Sequence, residues 1–204
     1  MPKQNEQQIV EFQSLLDELE NQLLDASMYL DIWEQIWPTE KVVNVINQYK
    51  GFFQPIRKAL FDQFSIKICN VTGNDRRLPS FYKVFKMLEA NPSLAPGADI
   101  RALRKRLKQH RVVIAAIDSY RNTKAAHWDI TIQPAERKPV LFGESKRMLK
   151  ELQDIFNEIY GAATNGEMIF ELVQHNDASF LLNNLEKLGT LAKKIYELHS
   201  IIIS

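Results

Sequence analysis

One cysteine, seven glycines and only short apolar runs set the first limits on this chain of 204 residues. Cys69 alone can neither close an intramolecular disulfide nor supply the paired thiolates of a structural zinc site, so it is expected in the core. Scarce glycine, with 45% hydrophobic and 25% charged residues, excludes a disordered chain and favours an ordered, helix-rich one. No stretch approaches the ~20 consecutive apolar residues that span a bilayer. The opening MPKQNEQQIVEF is polar where a secretory signal carries an apolar run. The expectation is therefore a cytoplasmic protein with no membrane association. A formal charge of +1 excludes general attraction to nucleic acid, leaving only a local basic patch for polyanion binding. The four histidines, His110, His127, His175 and His199, form no ligand cluster, and a P-loop and a nucleophile elbow are lacking. No metal and no cofactor are expected, and Ser145 and Ser179 read as surface residues.

What is present is helical periodicity. Ile9, Phe12, Leu16, Leu19, Leu23, Met28, Ile32 and Ile36 recur mostly at three- and four-residue steps, predicting one long amphipathic helix over 6–37. Pro38 should stop it, and Thr39 should cap a second helix that bends at Gly51 and Pro55 and resumes to about Cys69. Ser80 and Asp99 are placed to cap helices over 81–89 and 100–127. Two further helices are expected over 144–160 and from Asp177 onward, after a connection at 161–166 and an ambiguous piece at 167–174. No segment alternates long enough to require a strand. The prediction is an all-α fold, one helical-bundle domain over 1–204 with appended helices.

The helix predicted over 100–127 is the informative one. Ile100, Leu103, Leu107, His110, Ile114, Ile117 and Arg121 make a continuous inward stripe with two polar members. His110 reads as a hydrogen-bonded core histidine. A guanidinium on a packing face is costly to bury unpaired, so Arg121 should meet a carboxylate or line a polar cleft. On the other side, Arg101, Arg104, Lys105, Lys108 and Arg111 fall in one arc and form a basic ridge leading towards Arg121. A solvated helix face is the ordinary meaning of such a run; phosphate tracking is the functional one.

At the helix end stands YRNTKAAHWD, residues 120–129, in which Arg121, Asn122 and His127 bring together a fixed positive charge, an amide and a group titrating near neutrality. The pattern of arginine, a polar residue and then histidine a few positions on resembles the HEPN superfamily motif. The fuller RN, AH, D pattern is similar to its abortive-infection U branch. That resemblance implies a helical bundle that dimerises with paired motifs. It also implies a metal-independent ribonuclease of toxin or antiviral type, possible control by an antitoxin protein, and Arg121 and His127 as catalytic residues supported by Asn122.

The chemistry also follows from the residues. In RNA the ribose 2′-hydroxyl attacks the adjacent phosphate without a metal, provided protons are moved and charge is held. An imidazole with a reference pKa of about 6.5 serves the first need, and a planar guanidinium the second. Asn122 would orient the phosphate or the imidazole. Residues six apart on an ideal helix differ by about 120° and roughly 9 Å of rise, so Arg121 and His127 do not share a face. Either the helix distorts near Ala125 and Ala126, or a second subunit completes the site. The alternative function is a non-catalytic module that uses the same residues to bind RNA, a nucleotide or a partner protein. A structural dimer without ligand would leave Arg121 unexplained. Asn70 and Asp75 lie in a polar segment able to approach the motif, but read first as loop residues.

Overall fold

The computed structural model describes residues 2–37, 40, 42–75, 77–122, 140–170 and 176–203, and over these the chain is all α, with no strand. The helices are α1 (Pro2–Gln35), α2 (Val43–Gln48), α3 (Lys50–Thr72), α4 (Phe81–Ala90), α5 (Ile100–Gln109), α6 (Arg111–Tyr120), α7 (Phe142–Thr164) and α8 (Asp177–Ile203), with a short 3-10 turn at Pro92–Leu94. Two compact units are present: residues 1–27 with 62–171, and residues 28–61 with 172–204.

The first unit carries the larger core. Leu16, Leu19 and Leu23 of α1 are fully buried, as are Phe64 and Ile68 of α3 and Phe81 and Phe85 of α4. Leu103, Ile117, Leu152 and Phe156 are fully buried from α5, α6 and α7. Each follows the three- and four-residue step that lines one helical face, so apolar burial sets the orientation of these helices. Helix α5 packs between α4 and α7, and α6 also packs on α7. Ser80 caps α4, its Oγ accepting from the Lys83 N–H at 3.4 Å, and Asp99 caps α5, its carboxylate accepting from Ala102 at 3.0 Å. Both caps fall where the sequence puts them.

The second unit is built on Ile36, Val45, Ile46, Phe53 and Leu182. Leu188, Leu191 and Ile195 of α8 are exposed.

Several boundaries differ from expectation. The break before α3 lies at Tyr49, whose backbone is non-helical at φ −113°, ψ 33°, and Pro55 sits inside α3. Proline removes one N–H and crowds the carbonyl four residues back, here that of Gly51, where no side chain adds to the crowding. Helix α7 runs through Gly161 and ends with Asn165 in the left-handed conformation, φ 60°, which asparagine tolerates better than most residues. Ser145 is not at the surface: it is buried, and its hydroxyl donates to the Leu141 carbonyl at 3.1 Å. Ser179 is partly buried, its N–H and hydroxyl both donating to Gln35 Oε1. The stop at Pro38 and the cap at Thr39 lie outside the described residues.

Through Tyr120 the helix expected over 100–127 is two helices, and 123–127 lie outside the described residues. At His110 the backbone turns to φ −92°, ψ 8°, and its N–H donates to the carbonyls of Leu107 and Lys108. Leu103, Leu107 and Ile117 are all buried, so the inward stripe keeps its period across the break. Periodicity alone therefore gives no sign of it.

Candidate functional site

The break matters because α6 then carries its own polar end. Arg121 follows its last residue with helical backbone, φ −55° and ψ −50°, its N–H donating to the carbonyls of Ile117 and Asp118.

Three side chains close a ring there. Arg121 Nη2 meets Asp118 Oδ1 at 2.9 Å, one turn back on the same helix. Its Nε and Nη2 both donate to Asn122 Oδ1, at 3.1 and 2.8 Å. Asn122 Nδ2 in turn donates to Asp118 Oδ2 at 3.3 Å. The arrangement sets the Asn122 amide with its oxygen towards the guanidinium, and it holds the guanidinium plane without using Nη1. Charge-assisted bonds of this kind are the stronger class and restrict a side chain that otherwise has many rotamers. The ring is not sealed: the Arg121 side chain keeps 28% of its exposure and Asp118 49%. The sequence left two fates for Arg121, a carboxylate or a cleft, and it has both, the carboxylate lying on its own helix.

The cleft has a volume of about 470 Å³. One wall comes from the end of α3 and the loop after it, with Cys69, Thr72, Gly73 and Asp75; Tyr82 of α4 adds an aromatic face. The other comes from Leu107 and Lys108 of α5 and from Arg111, Ile114, Asp118 and Arg121. Glycine is required at residue 73, because a Cβ there would stand 2.5 Å from the Cys69 carbonyl oxygen. The chain can leave α3 this tightly only without a side chain.

Cys69 is buried, as expected of a core residue, yet it also borders the cleft. Burial pushes its thiol up to about 12, Arg121 draws it down, and Asp118 raises it both by charge and as a hydrogen-bond partner. The thiol stays protonated and is no nucleophile. Tyr120 anchors the end of α6: its hydroxyl donates to Asp62 Oδ1 of α3 at 2.7 Å. Burial first, then the Asp62 bond and charge, raise the Tyr120 phenol well above its usual range. Asp75 is held by Arg77, whose side chain and backbone N–H both bond it, and is lowered to about 2.

The basic ridge divides. Arg101, Lys105, Lys108 and Arg111 are exposed, and only Lys108 and Arg111 border the cleft. Arg104 is tied inward, pairing with Glu89 at 2.8 Å with its guanidinium 5.2 Å from the Phe85 ring centre. Among the described residues no carboxylate pairs with Lys108 or Arg111. His127 lies outside the described residues, as do Ala125 and Ala126. Asn70 bonds Gln22 of α1 at 3.2 Å, away from the cleft, whereas Asp75 is on its wall. Asp118 is the residue that sequence reasoning passed over. The spacing of Asp118, Arg121 and Asn122, three and four apart, was the signal that could have found it.

Over the described residues the fold is all-helical, consistent with a HEPN-type helical bundle. The family model for the AbiU2 group of HEPN domains matches residues 9–188, and the chain belongs to that family. No curated protein and no solved structure matches it. No described helix is long and apolar enough to cross a membrane.

Proposed function

We propose that this protein is a metal-independent RNA endonuclease of the toxin or antiviral-defence type, with Arg121, Asn122 and His127 at its centre. The observation that carries the reading is the Arg121 guanidinium, fixed in plane by Asp118 and Asn122 and facing an open cleft rimmed by Lys108 and Arg111. A scaffold arginine would be bound across helices; this one is preorganised by its own turn through Nε and Nη2.

In the reaction the ribose 2′-oxygen bonds to phosphorus as the bond from phosphorus to the 5′-oxygen breaks. The 2′-hydroxyl proton passes to a base and the 5′-oxygen receives one, leaving a 2′,3′-cyclic phosphate and a 5′-hydroxyl. Arg121 holds the charge that builds on the non-bridging oxygens. His127 moves a proton, as a group with a reference pKa of about 6.5 does readily. Asn122 positions Arg121, because both ends of its amide are already engaged. The exposed ridge residues Arg101, Lys105, Lys108 and Arg111 draw the RNA backbone, most directly through Lys108 and Arg111. We read the chain, 1–204, as one domain acting as a homodimer, with paired motifs completing the site, in the cytoplasm and under the control of a possible antitoxin protein. The interleaving of the two compact units along the chain favours a single domain.

The test is cleavage of RNA by purified protein with chelator present. His127→Ala and Arg121→Ala should each lower cleavage by about 10²-fold or more while circular dichroism stays unchanged; undiminished cleavage by both rejects the reading. RNA binding without cleavage, lost in Arg121→Ala, would identify a non-catalytic binding module.

A further inference from the structure

Phosphoryl transfer needs the edge of Arg121 but not the space beside it. That space, about 470 Å³, is of the size that encloses small organic groups. Its charge is also divided. Lys108 and Arg111 are exposed at its border, yet Asp75 and Asp118 face the same cavity. Asp118 is paired with Arg121 and Asp75 with Arg77, so these charges are balanced within the wall and the space beside the Arg121 edge suits a neutral group. Carbon surface from Leu78, Leu107 and Ile114 and the ring of Tyr82 line it, which suits a flat one. The carboxylates, with Thr72 and Asn74, offer hydrogen-bond partners to amino and imino groups at its edge.

A nucleobase is neutral, flat, apolar on its faces and polar along its edge, and in a strand it is joined to phosphates that need cations just outside. We propose that the cleft is a base-binding subsite: one nucleobase of an unpaired RNA strand enters it against Tyr82, while the adjoining phosphates rest on Lys108 and Arg111. The proposal rests on the RNA-directed reading above and narrows its substrate to single-stranded RNA. In a duplex the base is stacked and its edge is occupied, and extruding it costs a few kcal/mol. Aromatic faces bind bases of any sequence, so the subsite selects for strandedness before sequence.

The experiment separates binding from cleavage. A short fluorescent RNA strand, 2′-O-methylated so that no 2′-hydroxyl can attack, is titrated with full-length protein. A strand of equal length and charge but without bases, and a duplex, are titrated alongside. The wild type should bind the natural strand about tenfold more tightly than either, the worth of one base stacked on an aromatic ring. Tyr82→Leu, which removes the ring and keeps apolar bulk, and Ala115→Trp, which fills the cleft from a solvent-exposed position, should each erase that difference. Equal wild-type affinity for the natural and baseless strands overturns the subsite, even if the protein cleaves RNA. Unchanged preference in both folded variants does the same. A wild type that neither binds nor cleaves any RNA removes the functional reading and this one together.

Discussion

Two arginines on consecutive helices are held in different ways. Arg106 of α5 reaches across to α7, its Nε meeting Glu151 and its Nη1 meeting Glu158 at 2.6 Å, contacts 45 and 52 residues away in the chain. Among the described residues Arg121, at the end of α6, is held by Asp118 and Asn122, three residues and one residue away. The first pattern ties elements together. The second closes within one turn of the chain, so what these bonds do is aim a guanidinium. An arginine bound across helices is part of the frame, whereas one bound by its own turn is aimed rather than tied.

The sharpest test of that contrast exchanges the two positions. Arg121→Ala should lower RNA cleavage by about 10²–10³, the usual loss for one donor to a developing oxyanion, with little change in stability. Arg106→Ala should keep cleavage and lower stability by about 1 kcal/mol, since the pairs it makes with α7 are partly exposed and screened. Cleavage rates and urea midpoints measured on both proteins decide it, and the reverse pattern would break the comparison.

Next in size is Asp118→Asn, which keeps the shape but weakens the charge that steers Arg121. A fall in kcat of about tenfold at unchanged Tm is expected, because small losses of alignment are felt strongly in rate. A fall in Tm with kcat unchanged would make Asp118 part of the frame. Tyr120→Phe should lower stability by about 1 kcal/mol through loss of the bond to Asp62, measured by chemical denaturation.

The last effect, which vanishes at neutral pH, is on pH dependence. The Cys69 thiol is raised from 9.0 to about 12 in the folded chain. Above pH 9.0 the unfolded chain therefore gives up this proton while the folded one retains it, and stability should fall until about pH 12. Below pH 9.0 the group contributes no slope. Comparing urea midpoints of wild type and Cys69→Ala on each side of that pH isolates the effect, and alkylation of the native thiol should be slow.

Much of the fold was legible in advance. The helices around Leu16 to Leu23, Phe81 to Leu88 and Leu152 to Ile159 follow apolar steps that depend only on the turn of a helix, and the caps Ser80 and Asp99 follow from local hydrogen bonding. Arg121 stood out because a cation on an apolar stripe has no packing explanation. The break at His110 was not legible, because a stripe that keeps its period through a kink looks the same as one that does not. Nor was the selection within the basic ridge, where Arg104 is withdrawn to Glu89 while Lys108 and Arg111 reach the cleft. Local rules operate over one or two turns and are written in neighbouring residues. The position of Asp75 and Tyr82 on the cleft that Arg121 faces depends on how α3, α4, α5 and α6 pack, and only tertiary structure brings residues so distant in the chain to one space.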